Sequence, residues 1–458
     1  VKNCPFAGFW NLGTHEMILN AARYKTAQTV PHRNKSIMLP PPKGFLLAYC
    51  VLFATLPWSV DLAFGTWNLR VPSEPLLAML GLGLVVHFWQ HPKDLRRLLA
   101  NSIFLQISLA YILWMAISAC FSTIPWVSWK YWLVEWGHWW VFALGLSTWP
   151  MLWQRALPYF IISMGGVAAY TLAHHGFYHF RADQAILSPR PFFPDHTLWA
   201  AVVVMVLFLL QKQNSGLKTT FLAGLLLLAL VLSSARAAWG STLLVGIFWL
   251  FCSLKIYGRV VLLVCISAFG YWGAAKTMEA LQQDVSSMER LNRWSCALRM
   301  VQEKPFAGFG PGTFQFQYLD YQRPAEITRI SVHEPFANGL PHPQGRGGGV
   351  HSEYLRVLTE MGVVGLLLWM GLVGLLIWVS AELAFNRFDA QTETGSPFRN
   401  VRFSSNFFLC LSLLTFIIQG LVNDLLHDGR VAALVWGAMA VLFTTKKKME
   451  PHLDFHSS

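Results

Sequence analysis

His351 stands in the run His351-Ser352-Glu353-Tyr354-Leu355, which leads through Glu360-Met361-Gly362 into the apolar stretch Val363-Val364-Gly365-Leu366-Leu367. An imidazole placed where a wet loop meets a membrane helix can take a proton from a lipid-borne substrate at neutral pH. A helix over 351–361 would set His351, Tyr354, Leu355 and Leu358 on one face and Glu353, Arg356 and Glu360 on another. Arg356 then reads as neutralised and His351 as available for chemistry. The plainer alternative is a polar residue capping a transmembrane helix.

Arginine supplies the second kind of chemistry. Arg236 lies in Ser233-Ser234-Ala235-Arg236-Ala237-Ala238-Trp239, a minimal connection between two apolar runs. A guanidinium there is costly unless it snorkels or binds an anion. Arg290, Arg293 and Arg299 fall on or near a helix expected over 288–302, with Leu291, Trp294, Leu298 and Val301 on one side. The planar, permanently charged fork suits pyrophosphate oxygens, and anchoring to lipid headgroups is the competing use. Further cations on the same face are Arg70, Lys130, Arg181, Arg190 and Arg430; the acidic candidates are Asp61, Asp195, Asp424 and Asp428. No Asp-x-Asp pair lies on this face and no His/Glu cluster has metal spacing, so the chemistry reads as metal-free and without a cofactor.

These residues need elements to position them. Of 458 residues, 54% are apolar and only 13% charged, and apolar runs long enough for a bilayer recur from residue 44 almost to the end. The runs are continuous rather than alternating, which selects helices over a barrel because helices satisfy their own backbone in lipid. The expectation is an all-α, polytopic helical membrane protein with about twelve spans. They fall near 44–60, 73–90, 99–120, 131–148, 156–173, 195–211, 217–234, 236–254, 258–275, 358–380, 404–422 and 430–445. Basic residues precede the first span and fill alternate short loops, as Lys93, Arg96 and Arg97 do, and Lys446-Lys447-Lys448 closes the last span. Both termini are therefore expected in the cytoplasm. The same rule absorbs much of the formal charge of +12, which removes the main reason to invoke nucleic acid.

The organisation expected is a cytoplasmic N-terminal extension at 1–43, a first helical bundle at 44–275, an external loop at 276–357, a second bundle at 358–445 and a cytoplasmic tail at 446–458. Residues 1–43 lack the compact basic-then-apolar layout of a cleaved leader. The scattered cysteines give neither a disulfide framework nor metal spacing. In the long connection, Gly308-Phe309-Gly310-Pro311-Gly312 reads as a structural turn, since no strand precedes it and no Lys-Ser/Thr follows to make a phosphate loop. Arg346-Gly347-Gly348-Gly349-Val350 reads either as a closing hinge or as a plain connector.

Taken in order, the motifs resemble one family. Ser-x-Arg-x-x-Trp at Arg236 comes first, then Arg290 with Trp294 four residues on. Pro305-Phe306-Ala307-Gly308-Phe309-Gly310-Pro311-Gly312-Thr313-Phe314 follows, and then His351-Ser352-Glu353-Tyr354-Leu355 with Glu360, Gly362 and Gly365. This order resembles the O-antigen ligase and polymerase superfamily of bacterial membrane glycosyltransferases. The resemblance implies transfer of a glycan from undecaprenyl diphosphate to an acceptor hydroxyl at the periplasmic face of the inner membrane. The acceptor would be a lipid A core sugar in a ligase, another lipid-linked glycan in a polymerase, or a protein Ser or Thr in a related oligosaccharyltransferase. By position, Arg236 and Arg290 match the family's arginines and His351 its essential histidine. This chain has His-Ser where members often have His-Asn, and its polar start is longer than the family leads one to expect.

Residue chemistry and resemblance agree on a mechanism. His351 would be the base for the acceptor hydroxyl, and Arg236, Arg290 and Arg293 would stabilise the departing diphosphate. A single displacement would invert the anomeric carbon. Secondary candidates are Asp61, by analogy with polyprenyl-dependent transferases of another type, and Arg70, Lys130 and Tyr354. The rival reading from another class is a membrane transporter, which the single oversized loop and an expected absence of charges buried mid-span argue against.

Overall fold

The structure is a computed structural model that describes residues 41–64, 67–210, 216–254, 258, 259, 263, 285–326, 348–392 and 404–446. The expected N-terminal extension up to residue 40, most of the span at 258–275, the Arg346-Gly347 part of the glycine run and nearly all of the C-terminal tail lie outside these residues.

Helix α1 (Lys43–Thr55) leads into a hairpin of β1 (Val60–Phe64) and β2 (Trp67–Val71). Then come α2 (Ser73–Gln90), α3 (Pro92–Asn101), α4 (Ile103–Cys120), α5 (Pro125–His138), α6 (Pro150–Phe177), α7 (His196–Leu210), α8 (Leu217–Leu232) and α9 (Arg236–Ser253). Helix α10 (Val285–Glu303) belongs to the long connection, and α11 (Glu353–Thr392), α12 (Ser405–Gln419) and α13 (Gly429–Lys446) complete the chain. Prolines stand in the first turn of α3, α5 and α6, where a missing N–H costs nothing. Ser102 and Ser404 cap α4 and α12 by accepting from Leu105 N and Phe407 N.

The helical class is as expected, with one addition. The antiparallel hairpin sits directly after the first apolar helix, pairing Asp61 with Arg70. Trp67-Asn68-Leu69-Arg70-Val71 does alternate, but each strand is only five residues long and the pair directly follows an apolar run, so length rather than polarity hides it from the sequence pattern. Among the described residues, four helical segments are long and apolar enough to cross a membrane: Ile103–Cys120, Pro150–Phe177, Arg236–Ser253 and Glu353–Leu383. Five shorter apolar helices accompany them, so the count of twelve is not reproduced as twelve full-length spans. Outward-facing Leu82, Ile162, Phe221, Leu243 and Leu367 are all more than 60% exposed, the pattern of a surface solvated by hydrocarbon rather than water.

Helix α13 is the centre of the bundle, buried from Val431 through Leu442. Around it α1 packs on α6, α4 on α11, and α12 on α7 and α9. The connections that the charge pattern assigns to one face do gather at one end. Arg70 of the hairpin reaches both Asp61 (2.9 Å) and Asp428 (2.7 Å). Arg430 donates to Leu56 O and Ser59 O and lies over the Phe193 ring. Thr123, after α4, donates to Phe309 O in the long connection.

Buried charge is present beside the expected spans and near their ends. Glu135, Glu353, Arg356, Glu360, Asp428 and Arg430 are each at most 5% exposed. Spacing of three and four residues lets Arg356 meet Glu353 and Glu360 on one helix face, so the charges enter as a neutralised group.

Candidate active site

The polar end of α11 is built around a break. Gly362 has φ +69° and ψ −171°, which separates a short first segment from the apolar remainder. A break in a membrane helix strands backbone groups, and each needs a partner. Here the turn at 305–314 supplies them. Phe309 N donates to Thr359 O (3.1 Å), Gly310 N to Glu360 O (2.9 Å), and Val363 N to Pro305 O (2.8 Å). Trp114 Nε1 covers Met361 O, and Ser118 Oγ donates to both Glu360 O and Ala307 O. The side chain of Glu360 accepts from Phe314 N (3.2 Å). The glycine turn is thus structural, as the sequence reading favours, and its partner is the kinked helix.

The helix begins at Glu353, two residues later than the sequence reading has it. Ser352 caps it, its Oγ accepting from Leu355 N. His351 therefore precedes the helix in a left-handed backbone conformation, φ +57°, which a side chain occupies only when its surroundings hold it there. Helix α10 does the holding. Arg293 donates from Nη1 to Gly349 O (2.9 Å), and Trp294 Nε1 reaches His351 O at 3.4 Å.

The His351 ring is half-buried. Burial pushes its pKa below the usual imidazole value; the Asp424 carboxylate opposes this most strongly, Arg293 and Arg290 reinforce it, and Asp195 adds to the opposition. Arg290 and Arg236 both act on the neighbouring His196 at the start of α7. The structure therefore draws His351, Arg290, Arg236, Asp424, Asp195 and His196 from five separated chain segments into one electrostatic neighbourhood. Arg290 is half-buried and Arg236 exposed.

The remaining candidates separate. Arg293 is 4% exposed, paired with Glu289 (2.9 Å) and lying over the Tyr318 ring, so it supports the loop behind His351 rather than facing outward. Arg299 is bound to Glu326 and Tyr321 O. Tyr354 donates to Ile417 O (3.1 Å). Asp61 and Arg70 are tied to each other and to Asp428, and neither is among the charges acting on His351. Lys130 is exposed on α5. Arg356 is neutralised as expected, held by Glu353, Glu360 and the Tyr131 hydroxyl.

Asp424, Asp195 and His196 are what sequence reasoning left without a role. Asp424 was visible only as an acidic residue in an external connection; no local spacing links it to a histidine 73 positions earlier. Among the described residues no three His, Cys, Asp or Glu side chains group as a metal site.

No curated protein matches the chain. Residues 221–370 match the family model described as O-Antigen ligase, a segment that holds Arg236, Arg290, Arg293 and His351 and leaves out Asp61, Arg70, Lys130 and Asp424. Over that segment, about a third of its length, the chain is similar to the O-antigen ligase family.

Proposed function

We propose that the protein is an O-antigen ligase-like glycosyltransferase that moves a glycan from undecaprenyl diphosphate to the hydroxyl of a lipid A core sugar at the periplasmic face of the inner membrane. The observation that carries this reading is the convergence of His351, Arg290 and Arg236 at one end of the bundle, with Arg290 acting on both His351 and His196.

In this mechanism His351 accepts the proton of the acceptor hydroxyl as its oxygen attacks the anomeric carbon. A ring kept neutral by burial is in the right form for that step. The anomeric carbon–oxygen bond to the diphosphate breaks in the same displacement, which inverts the configuration. Arg236 and Arg290 meet the charge that develops on the leaving diphosphate; one well-aimed donor is worth about 3 kcal/mol in a dehydrated site. Arg293 keeps the 348–351 backbone in place and does not touch substrate. The proton can leave His351 towards solvent or the departing diphosphate, and no step calls for a resident cofactor.

Purified protein in vesicles, given an undecaprenyl-diphosphate glycan and a lipid A core acceptor, is expected to form the joined product without added divalent metal. Elongation of one lipid-linked glycan by another would make the protein a polymerase, glycan on a Ser or Thr peptide an oligosaccharyltransferase, and solute uptake without transfer a transporter. The buried Arg356 group is mutually neutralised and argues for neither class, so this assay decides between them.

A further inference from the structure

Glu353 makes more backbone contacts to one distant segment than a helix-opening residue needs. Its N–H donates to both Gly420 O (2.8 Å) and Asn423 O (3.0 Å). Its Oε2 accepts from Leu425 N (3.0 Å) and Leu426 N (3.4 Å), while Oε1 is paired with Arg356. One buried residue, 1% exposed, thus grips the 420–426 connection on both sides of Asp424. The same connection closes on the residues before His351: a Cβ at Gly349 would lie 1.7 Å from Asp424 Oδ2. The Asp424 carboxylate is therefore bracketed between Gly349, two residues before His351, and the bonds of Glu353, two residues after it.

We propose that Glu353 is a positioning residue that clamps the 420–426 connection to the start of α11 and so fixes the Asp424 carboxylate beside His351. Charge-assisted bonds from two successive N–H groups fix a turn more tightly than neutral ones, and Arg356 offsets the carboxylate's charge so that it can be buried there. The charged groups facing the His351 ring are Asp424 and Asp195 on the acidic side and Arg293 and Arg290 on the basic side. Glu353 is not among them. Its removal can reach the ring only by releasing Asp424. The inference rests on the proposed function solely in treating His351 as the base.

The test reads His351 directly. Carbethoxylation by diethylpyrocarbonate, followed at His351 by mass spectrometry across pH on the purified full chain, gives the ring's titration midpoint whether or not transfer occurs. Asp424→Asn is expected to lower the midpoint by about one unit. Glu353→Met, which leaves Arg356 its Glu360 partner, is expected to lower it similarly, and the double variant to go no further. An unchanged midpoint in Glu353→Met beside a lowered one in Asp424→Asn overturns the proposal, as does an unchanged midpoint in both. Should Glu353→Met fail to fold, hydrogen exchange of the unaltered chain decides. Leu425 and Leu426 amides are expected to be as protected as the first turn of α11, and free exchange there overturns the clamp. Transfer activity surviving His351→Ala would instead count against the function and leave this result standing.

Discussion

The backbone of Gly362 lies so close to Phe306 that a Cβ at position 362 would stand 2.0 Å from the Phe306 carbonyl oxygen. The same glycine has φ +69° and ψ −171°, a conformation reserved for glycine. Contact and torsion together mean that the turn at 305–314 and the break in α11 form only as a pair. Gly362→Ala is expected to destabilise the fold by about 3 kcal/mol or more, read as a lowered unfolding temperature in detergent. Near-normal unfolding would show that the break is not held by this approach.

Arg356 satisfies two buried carboxylates at once and donates to Tyr131. Arg356→Met leaves Glu353 and Glu360 without their common counter-ion, at a cost of about 3–5 kcal/mol. Thermal unfolding should report the loss. A variant as stable as the parent would mean that the carboxylates are accommodated by protonation.

His351→Ala is expected to abolish transfer while the lipid-linked donor still binds, because a base acts on the acceptor. The pH dependence follows from the neutral ring being the active form. Burial lowers its pKa, so activity should hold through the ordinary imidazole value of about 6.5 and fall only as the pH drops through the lower one. An acid limb centred above that value would contradict a buried His351 as the group that titrates.

The three arginines of the site should separate. Arg236→Ala and Arg290→Ala are each expected to lower turnover about a hundredfold with the fold intact, as loss of one donor to a leaving group does. Arg293→Ala should instead lower the unfolding temperature, since it removes the buried ion pair with Glu289 and releases Gly349 O. Kinetics and melting curves on the same preparations check both. Equal melting losses in all three variants would deny Arg236 and Arg290 a specific role.

Arg181 beside α6 and Lys93 at the start of α3 belong to connections that the charge pattern sends to opposite faces. Single cysteines at these two positions, in a chain freed of its own, should label from opposite sides with a membrane-impermeant reagent, position 181 from outside. Labelling of both from one side would overturn the topology.

Every expected span among the described residues falls on helix because an unbroken apolar run in lipid leaves the backbone no other solution, and the chain's own order of residues contains that information. Arg356 with Glu353 and Glu360 was legible for the same reason: helical periodicity relates positions three and four apart. The start of α11 was misplaced by two residues, since His351 takes a left-handed conformation imposed from α10 by Arg293 and Trp294. The β1–β2 hairpin and the depth of Asp428 and Arg430 were not legible either. Both depend on Arg70 and Arg430 meeting carbonyl and carboxylate partners far away along the chain. The sequence by itself determined which segments are helical and which side chains carry charge or a titratable ring. Only the tertiary structure decided that Asp424 lies against Gly349, two residues before His351, that Arg293 faces inward, and that a glycine turn fills the break at Gly362, because each is a relation between segments whose separation along the chain has no periodicity.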